Sequence, residues 1–170
     1  GDVIYIPPNT IHQHVNGDPN RPARLISATN RVYSMRGLND LEQLAVLFDL
    51  YRQFYEEEAD LSLAHQYIKQ RIQTQSSTIF IAWDNESADK KAIGFTQLYS
   101  TFCSVEASAI WVLYDLFVDS SKRDQGVGKA LMNRAKTMAL ESGASRIDLE
   151  TAIDNINAQG LYEALGYRRD

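Results

Sequence analysis

The chain has 170 residues, of which 44% are hydrophobic and 23% charged, with a formal net charge of -5 at pH 7. That is a globular composition, and no apolar run approaches the roughly 18 residues a membrane span needs, so neither a disordered nor a membrane-inserted chain is expected. Its acidity also excludes a general nucleic-acid binder, which must cluster Lys and Arg against phosphates.

The chain opens directly on the β-prone run Val3-Ile4-Tyr5-Ile6, with Gly1 and not Met in front, and is therefore expected to begin mid-domain. Within GDVIYIPPNTIHQHVN, the spacing of Gly1, Pro7, His12 and Asn16 resembles the second conserved motif of the cupin superfamily, whose histidine holds a metal inside a small β-barrel. Asn9 stands where that pattern usually has glycine. The resemblance implies that residues 1–33 are the last strands of a cupin-like barrel, either a piece of a larger fusion or the product of a gene rearrangement. His12 and His14 share one face of a strand, but a first-row metal needs three or four converging ligands. The expectation is an orphaned remnant with no metal site.

From Arg36 the hydrophobic period changes from 2 to 3.6. Leu41, Leu44, Leu47, Phe48, Tyr51, Phe54 and Tyr55 fall on one stripe, which predicts a helix over about 40–56 with Asn39 and Glu42 as a variant capping box. The run Glu56-Glu57-Glu58 closes it, read first as a solvated face and second as recognition of an amine. Ala64, Tyr67, Ile68, Arg71 and Ile72 predict a second helix over 61–74. Thr78 to Trp83 reads as a strand, Asp84 to Lys91 as a turn, and Ala92 to Thr101 as the antiparallel partner with a bulge near Gly94. Cys103 is the single cysteine, which rules out an intrachain disulfide, suits a cytoplasmic location, and reads as a core or loop thiol. Ile110 to Val118 is the most apolar run and predicts a central strand. A helix from Val127 to Ser142 stopped by Gly143, a strand over 146–150, a helix over 155–165 stopped by Gly166, and the start of a strand at Tyr167 complete the order. This order predicts a mixed sheet flanked by helices, an α/β (α+β) fold.

The junction between the central strand and the following helix carries the strongest chemical signal. The chain turns through Lys122-Arg123-Asp124-Gln125-Gly126-Val127-Gly128-Lys129 into a helix start. Amides there are unsatisfied, the helix dipole is positive, and glycines admit close approach of a phosphate oxygen, so a phosphate or pyrophosphate is predicted. Capping or packing glycines are the alternative.

Asp115-Leu116-Phe117-Val118, then Arg123-x-x-Gly126-x-Gly128 and Ala130-Leu131, resembles the acetyl-CoA motif of the GNAT superfamily of N-acetyltransferases. Asn155-x-x-Ala158-x-x-Leu161-Tyr162-x-x-x-Gly166-Tyr167 is similar to its second signature. The resemblance covers about residue 35 to the end and implies a GNAT-like, mostly antiparallel sheet for residues 34–170, without the family's last strand. The open sheet edge that follows is a liability for association, so a homodimer is permitted.

The resemblance further implies that Arg123, Asp124, Gln125, Gly126, Val127, Gly128 and Lys129 wrap the pyrophosphate of acetyl-CoA. Amides around Phe117 and Val118 are to meet the pantetheine, while Asn155 contacts that arm or orders the last helix. Tyr162 is the candidate proton donor to the departing thiolate, against a buried core aromatic; a phenol pKa near 10 suits the first role. Asp115 is the candidate base for the attacking ammonium, against a plain surface carboxylate, because strand alternation leaves its face open. The implied function is transfer of acetyl to a small or peptidyl primary amine by direct attack, without nucleic-acid or membrane partners. A cofactor-binding sensory module of a cupin–GNAT fusion without turnover is the alternative, and a cupin metalloenzyme with a GNAT-like accessory is a third.

Overall fold

The computed structural model describes residues 2–5, 28–29, 38–84 and 90–169. In chain order these form β1 (Asp2–Tyr5), β2 (Ala28–Thr29), α1 (Leu38–Phe54), α2 (Leu61–Gln73), β3 (Thr78–Asp84), β4 (Lys91–Cys103), β5 (Ser108–Val118), α3 (Val127–Glu141), β6 (Ile147–Thr151), α4 (Ile156–Ala164) and β7 (Arg168–Arg169). The sheet runs β2-β3-β4-β5-β6-β1-β7, and every neighbouring pair is antiparallel except β5 and β6. The mixed sheet of the four long strands β3–β6 flanked by helices is the expected α/β arrangement. Among the described residues no helix is long and apolar enough to cross a membrane.

Strand β3 is a continuous apolar run because both of its faces are covered. Ile79, Ile81 and Trp83 pack with Leu41, Leu44, Leu47 and Phe48 of α1 and Ala64 and Ile68 of α2, whereas Phe80 and Ala82 join Leu131, Met132 and Ala135 of α3 on the other side. The two helical layers are thus held by two separate cores. The α1–α2 junction is fixed by the buried Asp49, which accepts from the Asp60 amide and the Gln53 side chain, each at 2.9 Å. Asp60 in turn caps α2 by accepting from the Leu63 amide. Asn39, the expected cap of α1, is already the second residue of that helix.

The N-terminal strands depart from expectation. β1 lies between β6 and β7, with Asp2 opposite Thr151, Val3 opposite Glu150, Ile4 opposite Arg169 and Tyr5 opposite Arg168. β2 pairs with β3. Both strands join the main sheet, so no cupin-like barrel is formed among the described residues. His12 and His14, and most of the turn from Asp84 to Lys91, lie outside the described residues.

Two bulges shape the central strands. In β4, Ala82 and Trp83 of β3 face Gly94 and Ala92, leaving Ile93 as the extra residue. In β5, Gln97 and Leu98 of β4 face Asp115 and Leu113, leaving Tyr114 extra. Strict alternation would put Leu113 and Phe117 on one face; past the bulge the phase is reset, so Leu113, Leu116 and Val118 pack towards α3 and α4 while Phe117 packs towards α1.

At Gly94 an added Cβ would lie 2.9 Å from the Phe117 carbonyl oxygen and 3.3 Å from Val127 Cγ1. Backbone cannot yield as a flexible side chain can. Gly94→Ala is therefore expected to lower the denaturant midpoint by the equivalent of about 1–3 kcal/mol with an unchanged m-value. Wild-type stability in this variant would contradict the close approach of β4 and β5 to α3.

Candidate active site

Strand β5 pairs with β6 only over Trp111–Ile147, Val112–Asp148 and Leu113–Leu149, and the pairing stops where the Tyr114 bulge begins. Both strands continue beyond it, so a gap opens between them. The Asp119 amide donates to the Ile93 carbonyl at 2.9 Å, and the register below it sets Val118 opposite Gly94, Phe117 opposite Phe95 and Leu116 opposite Thr96. Hydrogen-bonded and non-bonded pairs alternate in an antiparallel ladder. The amides of Phe117 and Asp119 consequently face β4, while those of Leu116 and Val118 face the gap. The Phe117 ring instead forms a floor beneath α1, 6.2 Å from Tyr51 and 6.4 Å from Phe95.

At the end of β5 the chain makes a short helical turn at Ser120–Lys122, passes Asp124 at φ +58°, and enters α3 from Gly126 at φ +81°. No side chain caps α3. The first internal bond of the helix runs from the Ala130 amide to the Gly126 carbonyl, which leaves the amides of Val127, Gly128 and Lys129 without a protein acceptor among the described residues. The two glycines have different causes. Gly126 supplies the left-handed turn with open space around it, whereas a Cβ on Gly128 would meet Leu161 Cδ2 at 3.2 Å, so Gly128 lets α3 approach α4.

The charges around this helix start are unequally free. Lys122 is bound to Asp84 at 2.7 Å, and Arg123 lies back over β5, donating from Nε to the Val118 carbonyl at 3.1 Å with its guanidinium over Phe54 and Phe117. Lys129 has no ion-pair partner among the described residues and projects beside the open amides. A cavity of about 340 Å³ extends from this cradle along the gap to α4. Phe117, Val118, Arg123, Asp124, Gly126, Val127, Gly128, Lys129, Asn155 and Tyr162 all line it. Gln125 does not; its side chain turns back to the Ser121 carbonyl. Asn155 caps α4 by accepting from the Ala158 amide at 3.2 Å.

Tyr162 lines this cavity and is buried, its ring 5.8 Å from Tyr167. Burial, and then the nearby Tyr55, push its phenol up to about 12, so it keeps its proton at neutral pH. Asp115 is not in this cavity. The bulge turns it to the α1 side, where it lines a second cavity of about 540 Å³ together with Tyr67, Arg71, Tyr99 and Tyr114. Burial pushes its carboxyl up to about 6, against a hydrogen bond from Tyr51 that favours the charged form. Tyr114 borders both cavities and Tyr51 borders the first, so the Asp115–Tyr51 pair stands at the wall between them.

The sequence pattern of the Acetyltransferase (GNAT) family matches residues 44–167. The chain belongs to the GNAT acetyltransferase family. It is 41% identical over 132 residues to YhfO of Bacillus subtilis, described as an uncharacterized N-acetyltransferase, covering 78% of this chain and 86% of that relative. A crystal structure of a probable acetyltransferase superposes with a TM-score of 0.73 at 35% identity, over 78% of this chain and 87% of that one. The ribosomal-protein-alanine N-acetyltransferase of Brucella melitensis shares the fold, with a TM-score of 0.62 at 20% identity over 75% and 85% of the two chains. The protein is thus an acyltransferase enzyme.

Several residues of this GNAT site are not singled out by sequence reasoning. Tyr51, Phe54 and Tyr55 read as the core stripe of α1, yet all three line the first cavity and Phe54 is 51% exposed. A helix whose aromatic residues continue past its buried part is the signal that was available. Tyr114 and Tyr99 read as ordinary strand residues; Tyr114 is the extra residue of the β5 bulge, and Tyr99 reaches the second cavity by the ordinary alternation of β4. Glu56, Glu57 and Glu58 are exposed and line neither, with Glu57 paired to Arg52 at 3.8 Å, in keeping with the solvated-face reading.

Asp115 supplies a stability test of the site. Its folded pKa of about 6 exceeds the ordinary 3.8, so the folded chain holds this proton more tightly than the unfolded one. The stability this confers is complete below about pH 4 and is lost as pH rises through about 6. Asp115→Asn removes this partly buried charge and is expected to be more stable than wild type at pH 7.5, by up to about 3 kcal/mol, with the difference shrinking towards pH 4. Thermal unfolding at the two pH values checks this; a gap independent of pH would contradict the burial of Asp115.

Proposed function

We propose that this GNAT enzyme transfers the acetyl group of acetyl-CoA directly to the nitrogen of a primary amine, small or peptidyl. The observation that carries the reading is that an uncapped helix start with three open amides and a buried, protonated tyrosine line one cavity, beside a strand whose pairing is cut short by a bulge. An uncapped helix start with Lys129 beside it suits a pyrophosphate, and the gap beside Leu116 and Val118 suits an extended amide-bearing arm that adds to β5 as a strand would. Acetyl-CoA would supply the activated acyl group as a thioester.

Each protein group then has one task. The amides of Leu116 and Val118 offer hydrogen bonds to the pantetheine and to the carbonyl oxygen as negative charge develops on it. Asp115, directly or through a water, takes one proton from the ammonium so that the nitrogen lone pair can attack the carbonyl carbon. As the carbon–sulfur bond breaks, Tyr162 donates its proton to sulfur and is reprotonated by the proton that the nitrogen gives up, leaving amide and thiol as products. Cys103 ends β4 outside both cavities, which supports direct attack in preference to an acyl-cysteine route.

Calorimetric titration with acetyl-CoA is expected to show one site, and an amine panel to give acetyl-CoA-dependent thiol release. Tyr162→Phe is expected to lower kcat about 100-fold or more with little change in acetyl-CoA affinity. For the wild type, kcat/KM for the amine is expected to fall below about pH 6 as Asp115 protonates, and Asp115→Asn to lose that limb. Tight binding with no thiol release from any amine would contradict the reading.

A further inference from the structure

The second cavity places a cation and a carboxylate in one space without letting them neutralise each other. Arg71, in the last turn of α2, has a buried Nε with no hydrogen-bond partner, and no carboxylate pairs with it among the described residues. Its guanidinium lies 5.2 Å from the centre of the Tyr67 ring, which holds it in place. Asp115 lines the same cavity, yet among the described residues no ion pair joins it to Arg71. The two opposite charges are therefore separated.

The surroundings fix this arrangement. The Tyr67 and Tyr99 hydroxyls are 2.7 Å apart, and Tyr99 also receives a hydrogen bond at 3.0 Å from Gln97, whose side-chain nitrogen bonds Ser77 at 2.7 Å as well. Gln97 is wholly buried, so the row is anchored in the sheet. Tyr99 meets Tyr114 edge-on at 5.2 Å, and Tyr114 reaches from this cavity to the first. Arg71 is partly buried and lines this cavity with no carboxylate paired to it among the described residues, and the planar fork of a guanidinium matches a carboxylate.

We infer that the acceptor is a primary amine that also carries a carboxylate, bound with the carboxylate on Arg71 and the ammonium at Asp115. This deepens the acetyl-transfer reading above and rests on it. Arg71 selects the substrate and Asp115 activates it, so an amine without the carboxylate loses binding while the chemistry that follows is retained.

The test uses matched pairs of amines that differ by the carboxylate: glycine and methylamine, 4-aminobutyrate and propylamine, L-phenylalanine and 2-phenylethylamine. In the wild type, kcat/KM is expected to be about 10–100-fold higher for the carboxylated member of at least one pair, the scale of a charged hydrogen bond. Arg71→Gln is expected to reduce that preference below about threefold by raising KM, and Arg71→Lys to retain part of it. As a readout apart from turnover, calorimetric titration of the preferred carboxylated amine in the presence of coenzyme A is expected to show a matching loss of affinity in Arg71→Gln. Thiol release without any carboxylate preference, or a preference that survives Arg71→Gln, overturns the inference and leaves acetyl transfer intact. No thiol release with any amine overturns acetyl transfer and this inference with it. Should Arg71→Gln fail to fold, Arg71→Lys with an undiminished preference for every pair over the wild type would overturn it equally.

Discussion

One extra residue in β5 governs the site. The bulge at Tyr114 ends the pairing with β6 at Leu113, frees the amides of Leu116 and Val118, and reverses which face the following residues occupy. The same residue therefore opens a slot for an extended ligand on one side of the strand and swings Asp115 to the other. A regular strand would pair with β6 to its end and close the slot. The unpaired amides are tolerable only where water or a ligand can reach them, which is the condition the cavity provides.

Around that constraint the molecule spends stability on groups that a purely structural design would avoid. A partly buried acidic side chain sits beside a tyrosine, an arginine keeps an unpaired donor, and a helix begins without a side-chain cap. Each is unfavourable in the free protein, and groups of this kind cluster at functional sites. The rigid parts are the two cores on either side of β3, and they hold these strained groups in place.

Most helices and strands were legible in the sequence because each carries a clear period: the Leu41–Phe48 stripe of α1, the doubly buried run of β3, and the Gly143 and Gly166 stops at φ +74° and +87°. The cradle was legible because glycine and a helix start fall together, although the cause of Gly128 is packing against Leu161 and the charges of Lys122 and Arg123 are turned elsewhere. The face of Asp115 was not legible. It depends on a bulge at Tyr114, a residue with no special backbone signature in the sequence, and a single-residue slip moves every side chain beyond it to the opposite face. The placement of β1 was not legible either, since four β-prone residues do not reveal which strands they will join.

In the proposed reaction the start of α3 and the free edge of β5 together receive acetyl-CoA. Amide chemical shifts followed by NMR during a coenzyme A titration test it most directly. Saturable shifts are expected at Val127, Gly128 and Lys129, accompanied by shifts at Leu116 and Val118 and by slower amide exchange at all five. Shifts confined to other parts of the molecule, or no saturation by millimolar ligand, would contradict it.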